Sequence, residues 1–247
     1  MSPAAERAAT LGATGDVASS APAVAHPALP DYLERHNRRA YLEPRNARLF
    51  DRPGFLQLLL FGFYRRLSDA VLRTFAANDR QHLLQVGCVY GDLTLRLARQ
   101  NGAGRLDVAD VATVQLDLLR GKLSPDSPVT LHRRDATDLA FADASFDGVL
   151  LFFLLHEIPP AAQRRALAEA LRVCRPGGRV VVIDYQRPHP LQPLRWLLPP
   201  LFRWLEPFAL DFWTRPLTTL LDAPAGARVV ASRSWFGGLY RQVTLTP

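Results

Sequence analysis

Residues 83–98 read LLQVGCVYGDLTLRLA. An apolar run over 83–86 ends at Gly87-Cys88, a turn follows, and apolar residues then recur at helical spacing. Strand, glycine turn, helix is the sequence form of the first βα unit of a nucleotide-binding sheet. Glycine in the turn lets the backbone approach a ligand at the carboxyl edge of the sheet. The stretch departs from that form near the ligand. Gln85 stands where an acidic residue is expected, Val89 where a third glycine is expected, and Tyr90 where a small residue is expected.

Working outward, the chain keeps alternating. Residues 94–100 continue the first helix, 105–108 read as a second strand ending at Asp110, and 114–122 as a helix. A third strand covers 129–133 and a fourth 146–153. PAAQRRALAEALRVC (160–174) is a helix stopped by Pro176-Gly177-Gly178, and 179–183 a fifth strand. This alternation predicts an α/β fold with a doubly wound, Rossmann-like parallel sheet. Two further strand-like runs, 228–236 and 239–246, flank Gly237-Gly238 and predict an antiparallel hairpin closing the sheet edge. Asp110 lies about 20 residues beyond the glycine turn, the place of a ribose-binding carboxylate. Asp135 follows the third strand, where its carboxylate or the neighbouring amide can read an adenine edge.

Two segments interrupt the pattern. FLQLLLFGFYRRL (55–67) is apolar nearly all round and too short to span a bilayer, so it reads as a buried helix or one lying in a membrane interface, burial being favoured. PLRWLLPPLFRWLEPFALDFW holds Trp196, Trp204 and Trp213, and its prolines predict short broken pieces. The region 187–216 reads either as a helical insertion packed on the sheet, or as a lid over an apolar ligand and interfacial anchor; the second is favoured because tryptophan and arginine suit the headgroup level.

The 247 residues, 48% hydrophobic, are enough for one large α/β domain over 31–247, with an N-terminal helical segment over 31–78. Residues 1–30, rich in Ala, Ser, Thr and Pro, read as a disordered tail without the features of a secretory signal. Arg7 opposed by Glu6 and Asp16 makes a poor mitochondrial presequence. Cys88 and Cys174 form no disulfide framework, which points to a reducing compartment, and Cys88 reads as a small core residue. Net charge is +7, and Lys122 is the sole lysine among the arginines. That arginine bias reads as a GC-rich genome more than as a function; no motif of a nucleic-acid module is present, and an anionic membrane surface is the other candidate partner for a basic chain.

The stretches LLQVGCVYGDLTLRLA, DVATVQLDLLRGKL, RRDATDLAFADASFDGVLL and RVCRPGGRVVVIDY resemble successive motifs of class I S-adenosylmethionine methyltransferases, among them the ubiquinone and menaquinone C-methyltransferases. The resemblance implies S-adenosylmethionine as cofactor, with Gly87 and Gly91 shaping the loop under its methionine part. It implies Asp110 on the ribose hydroxyls and Asp135-Ala136 at the adenine. Gln85, Val86, Tyr90, Val111, Gln115 and Phe152 complete the expected cofactor surroundings. QVGCVYGDLT together with LLFFLLHE and LEPFALDFW is similar to the rhodoquinone biosynthesis family, RquA. That likeness implies conversion of ubiquinone to rhodoquinone. An amino group then replaces a ring methoxy group, S-adenosylmethionine is the amino donor, and manganese is implicated. It also implies a cytoplasmic protein held peripherally at the inner face of a bacterial inner membrane. An ordinary quinone or phenol methyltransferase is the alternative. A catalytically inactive quinone- or membrane-binding assembly factor is a third reading.

The departures fit amino transfer chemically. A carboxylate near the cofactor amine stabilises its unreactive ammonium form, and neutral Gln85 removes that bias. Tyr90 can redirect the quinone or bond its carbonyl. His156 and Glu157 follow the fourth strand on the ligand side; His156 reads as a base, a metal ligand or a helix cap. Asp184 and Tyr185 end the fifth strand on the same side. Catalytic candidates are therefore Tyr90, Gln85, His156 and Asp184. No metal-ligand spacing is present, so a manganese site has to assemble across loops, with His156, Glu157 and Asp184 as candidates. Asp143 and Asp147 read as structural.

Overall fold

The computed structural model describes residues 29–30, 43–76, 80–87, 90–205, 208–215, 217–220 and 227–247. Residues 1–28 of the expected tail over 1–30, all of 31–42, and the loop positions Cys88 and Val89 lie outside the described residues. Among the described residues three helices come first: α1 (Pro44–Phe50), α2 (Pro53–Leu59) and α3 (Tyr64–Phe75). The alternating body follows with β1 (His82–Val86), α4 (Leu93–Gln100), β2 (Arg105–Asp110), α5 (Thr113–Arg120), β3 (Val129–Arg133) and β4 (Phe146–Phe152). A 3-10 turn over Leu155–Glu157 leads to α6 (Pro160–Val173) and β5 (Cys174–Tyr185). The chain ends through α7 (Leu194–Leu205), α8 (Ala209–Thr214), a 3-10 turn, β6 (Arg228–Trp235) and β7 (Tyr240–Thr246).

The seven strands lie in the order β3-β2-β1-β4-β5-β7-β6. The first five are parallel, and β7 runs antiparallel between β5 and β6. Parallel strands covered on both faces need apolar residues on both. Neighbouring positions accordingly part between two cores: Leu83, Leu150 and Val181 face one, and Leu84, Leu151 and Val182 the other. Helix α3 packs so closely on β4 that a Cβ at Gly148 would lie 2.5 Å from the Phe75 ring and 2.9 Å from Leu83.

Three expectations change. The run 55–67 is not one helix: α2 stops at Leu59, the chain turns through Phe61 (φ 48°) and Gly62 (φ 81°), and α3 begins at Tyr64. Leu56 and Leu60 are buried while Leu58 is 75% exposed, so the segment is neither wholly core nor wholly surface. The prolines at 199 and 200 do not break their segment; both sit inside α7, removing N–H donors to the carbonyls one turn earlier. Strand β5 starts at Cys174, not at 179. The Pro176-Gly177-Gly178 stretch is a bulge in it, where the register with β4 jumps from Phe146↔Cys174 to Gly148↔Arg179. Among the described residues no helix is long and apolar enough to cross a membrane.

Candidate active site

Between β1 and β4 the strand order reverses, and that switch point is where open α/β sheets leave a crevice. The cleft there encloses about 1120 Å³ with its open mouth. Gly87 and Tyr90 line it after β1, Ala109–Ala112 and Gln115 around the end of β2, and Arg134 and Ala136 after β3. Phe152, Phe153, Leu154, His156, Glu157 and Ile158 line it after β4, and Tyr185 at the end of β5. Leu56, Leu59, Leu60 and Tyr64 close the remaining wall from the N-terminal helices.

The start of the β1 loop is tied to the neighbouring strand β2 and to helix α4. Gly87 has φ 83°, a conformation that favours glycine, and its N–H donates to the Ala109 carbonyl at 2.7 Å. Gln85 is fully buried and does not line the cleft. Its Oε1 accepts from Thr94 Oγ1 at 3.0 Å and its Nε2 donates to the Gly87 carbonyl at 3.0 Å. It therefore ties the loop to α4 instead of facing a ligand, which replaces the expected contact with the cofactor amine. Tyr90 does reach the cleft. Its phenol accepts from Gln115 Nε2 at 2.6 Å and its ring stacks on Phe50, centroids 5.9 Å apart. Burial pushes the phenol well above its usual range, so it stays protonated.

Asp110 lies at the lip of β2, where its Oδ1 accepts from the Ala112 amide at 2.7 Å and shapes the turn that carries Val111 and Ala112. Ala136 lines the cleft, whereas Asp135 closes its own turn by accepting from the amide and hydroxyl of Thr137 at 2.7 and 2.8 Å. Val86 and Gly91 lie behind the lining. A short side chain after β3 that can satisfy its own backbone does so, which turns Asp135 away from the ligand side.

The strongest polar feature is the pair His156–Asp184. Both are buried, at 3% and 2% exposure. Asp184 Oδ1 lies 2.7 Å from His156 Nδ1. The same carboxylate accepts from the amides of Leu155 (2.9 Å), His156 (3.3 Å) and Tyr185 (2.7 Å). A carboxylate on Nδ1 makes that nitrogen the protonated one and leaves Nε2 as the acceptor. Glu157 Oε1 is 3.9 Å from Nε2. The rings of Phe153 and Tyr185 stand edge-on to the imidazole, at 5.9 and 4.7 Å.

His156, Glu157 and Asp184 are thus adjacent, yet among the described residues no group of three or more His, Cys, Asp or Glu is arranged to hold a metal ion. The Asp184 oxygens already face three amides and an imidazole. The expected manganese finds no donor set among these described residues. Asp143 and Asp147 lie apart from the cleft, paired with Arg172 (2.5 Å) and Arg175 (2.6 Å). Burial pushes the Cys174 thiol up to about 12, in keeping with its place in the core.

Sequence reasoning missed the leucine wall and Tyr64, because nothing local in 55–64 says which turn meets the β1 loop. Ala109, Ala112, Phe153, Leu154 and Ile158 follow from the rule that strand carboxyl ends make the site.

A methyltransferase domain family matches residues 83–178. The demethylmenaquinone methyltransferase of Beutenbergia cavernae is 33% identical over 67% of this chain and 74% of its own length. The ubiquinone/menaquinone biosynthesis C-methyltransferase of Paracoccus denitrificans is 34% identical over 57% of this chain and 56% of its own. The 2-phytyl-1,4-naphthoquinone methyltransferase of Synechococcus elongatus is 28% identical over 68% and 69%. The chain spans between about half and three quarters of the length of these relatives. Two solved structures share the fold. A SAM-dependent methyltransferase from Aquifex aeolicus has TM-score 0.57 and 20% identity over 82% of this chain and 97% of that one. The N-methyltransferase NodS from Bradyrhizobium japonicum, in complex with S-adenosyl-L-homocysteine, has TM-score 0.58 and 16% identity over 88% and 98%.

Proposed function

Because the chain belongs to the class I S-adenosylmethionine-dependent methyltransferase family, we propose that it transfers a group from that cofactor to the ring of an isoprenoid quinone or its quinol. The observation that carries this reading is one cleft with two ends. At one end Gly87, Asp110 and Ala136 follow β1, β2 and β3; at the other His156, bonded to buried Asp184, follows β4 beside the rings of Phe153 and Tyr185. The residues fit the cofactor: a left-handed glycine permits close backbone approach, and a carboxylate stands at the β2 lip where ribose hydroxyls need an acceptor. When bound, the cofactor supplies an electrophilic methyl group or, in the second reading, its α-amino group.

The chain's own residues do the rest. Asp184 orients His156 so that Nε2 accepts the proton of a ring hydroxyl, which makes the ring the better nucleophile. Tyr90, Phe152 and Phe153 give the ring an apolar bed and exclude water from it. Methyl transfer is the reading that the named relatives support. Amino transfer from ubiquinone to rhodoquinone is the second reading, favoured by Tyr90 standing in the cleft where a small residue is usual. In that reading the cofactor would supply the nitrogen and, by loss of a Cβ proton to the departing ring nitrogen, would leave as an alkene; His156 Nε2 would take a proton from the attacking amine and pass it to the methoxide, which leaves as methanol. Exposed Leu58, Phe61, Trp196 and Leu197 support peripheral residence on an anionic bilayer; residence at its cytoplasmic face is part of the same proposal.

Incubation with ubiquinone or a demethylated quinol, and cofactor labelled either with heavy carbon in the methyl or heavy nitrogen in the amine, separates the readings by product mass. Heavy carbon in the ring product establishes methyl transfer, and heavy nitrogen amino transfer. Neither label in any quinone, with cofactor binding intact, overturns both.

A further inference from the structure

We propose that Asp51 and Lys122 are positioning residues for the cofactor, locking the N-terminal helices onto the β1 loop so that leucine wall and loop act as one unit. The inference rests on the cleft being the cofactor site. Its basis is the way Gly91 is held. The Gly91 N–H donates to Asp51 Oδ1 at 2.7 Å, and its carbonyl accepts from Lys122 Nζ at 2.9 Å. Lys122 Nζ also lies 2.7 Å from Asp51 Oδ1, so the contacts close a triangle. Asp51 comes from the turn between α1 and α2, and Lys122 from the end of α5. Gly91 has φ 83°, and both of its backbone groups are satisfied from outside its own segment.

Tyr64 completes the clamp. Its hydroxyl accepts from the amides of Asp92 (2.8 Å) and Leu93 (3.0 Å) at the start of α4 and donates to Asp92 Oδ1 at 3.0 Å. The space beside Gly91 is filled by that hydroxyl and by Leu56, which a Cβ there would meet at 2.5 and 2.8 Å. Leu56 and Tyr64 both line the cleft, so the stretch that walls the site also fixes its loop.

The residue type at 122 is informative. In a chain whose other strong cations are arginines, the single lysine stands here. An ammonium brings three donors to one point, which suits a carbonyl and a carboxylate converging on it; a planar guanidinium fork does not. The two side chains are 21% and 15% exposed, so removing one leaves the other partly desolvated without a counter-charge.

The test is calorimetric titration with S-adenosyl-L-homocysteine, alongside thermal unfolding. Lys122→Met and Asp51→Ala are each expected to weaken binding at least tenfold, about 1.4 kcal/mol. The double variant should bind no worse than about twofold below the weaker single one, because the pair acts as a unit. Arg172→Met is the control: it breaks an ion-pair network with Glu169 and Asp143 away from the cleft. It should keep affinity within twofold even where it lowers the unfolding temperature. If either clamp variant folds and binds within twofold of the unaltered protein, or if Arg172→Met loses as much affinity, the inference is overturned. If the unaltered protein itself does not bind the ligand, the functional reading falls, and the inference with it.

Discussion

Gln85 shows how one side chain changes meaning between sequence and structure. At its buried position both polar atoms are engaged, one with Thr94 and one with the Gly87 carbonyl. Gln85→Glu removes the donor and sets a carboxylate oxygen against that carbonyl. An unsatisfied buried group costs about 1–3 kcal/mol, and a charge more. Burial raises the introduced carboxyl's pKa over its unfolded value, so the penalty is small below about pH 4 and grows as pH rises toward neutrality. Thermal unfolding at pH 5 and pH 8 should show the variant falling further below the unaltered protein at pH 8. Equal stability at both would mean that Gln85 is not a latch. At the other end of the cleft, Asp184→Asn keeps the shape but takes the carboxylate from His156 Nδ1. Turnover should fall about 10²–10⁴-fold with cofactor affinity little changed. Normal turnover would remove His156 from the mechanism.

Among the elements, β1, β2 and β3 share a polar seam outside the cleft. Asp107 on β2 lies 2.5 Å from His82 Nε2 on β1 and 3.0 Å from His132 Nε2 on β3. Burial alone would raise the Asp107 carboxyl, but hydrogen bonds from His132 and His82 outweigh it and hold the group below its usual range. A carboxyl depressed in the folded state stabilises the fold above its unfolded pKa, near 3.9, and loses that contribution as pH falls through the folded value. Acid unfolding monitored below about pH 4 should therefore flatten in Asp107→Asn. An unchanged acid limb would show that the seam does not couple folding to protons. The connections also carry meaning. Pro176-Gly177-Gly178 was legible as a helix stop but not as a bulge in β5, and the turn at Phe61-Gly62 was hidden in an apolar run that reads as one helix. Local propensity marks where a chain can bend, and packing decides how it does.

Among the described residues, exposed apolar side chains stand on the N-terminal helices, on α7 and on β6. Leu59 lines the cleft yet is 45% exposed, and Phe61 packs against Phe236 of the β6–β7 hairpin, centroids 5.5 Å apart. Gln192 donates to the Phe236 carbonyl at 3.0 Å, which brings the stretch before α7 to the same hairpin. Trp196 is 75% exposed with Arg195 over its ring at 5.5 Å. Vesicle flotation should show binding to anionic bilayers that weakens with salt, each basic residue near the surface contributing about 1 kcal/mol. Trp196→Ala should reduce it. Equal recovery of the unaltered protein in the soluble fraction with neutral and anionic vesicles would count against the bilayer reading.

Periodicity and glycine placement in the sequence by themselves determined the order of strands and helices, the parallel core with its antiparallel hairpin, and the carboxyl-edge residues Gly87, Asp110, Ala136 and His156. These rest on local rules: side chains alternate along a strand, and a βα turn opens toward its ligand. Only the tertiary structure decided that Gln85 is buried beneath the loop and Asp135 closes its own turn, that Asp184 belongs to His156, and that Asp51, Tyr64 and Lys122 meet at Gly91. The last two outcomes depend on which distant partner satisfies a polar group, and sequence spacing holds no record of partners separated by 28 to 40 residues.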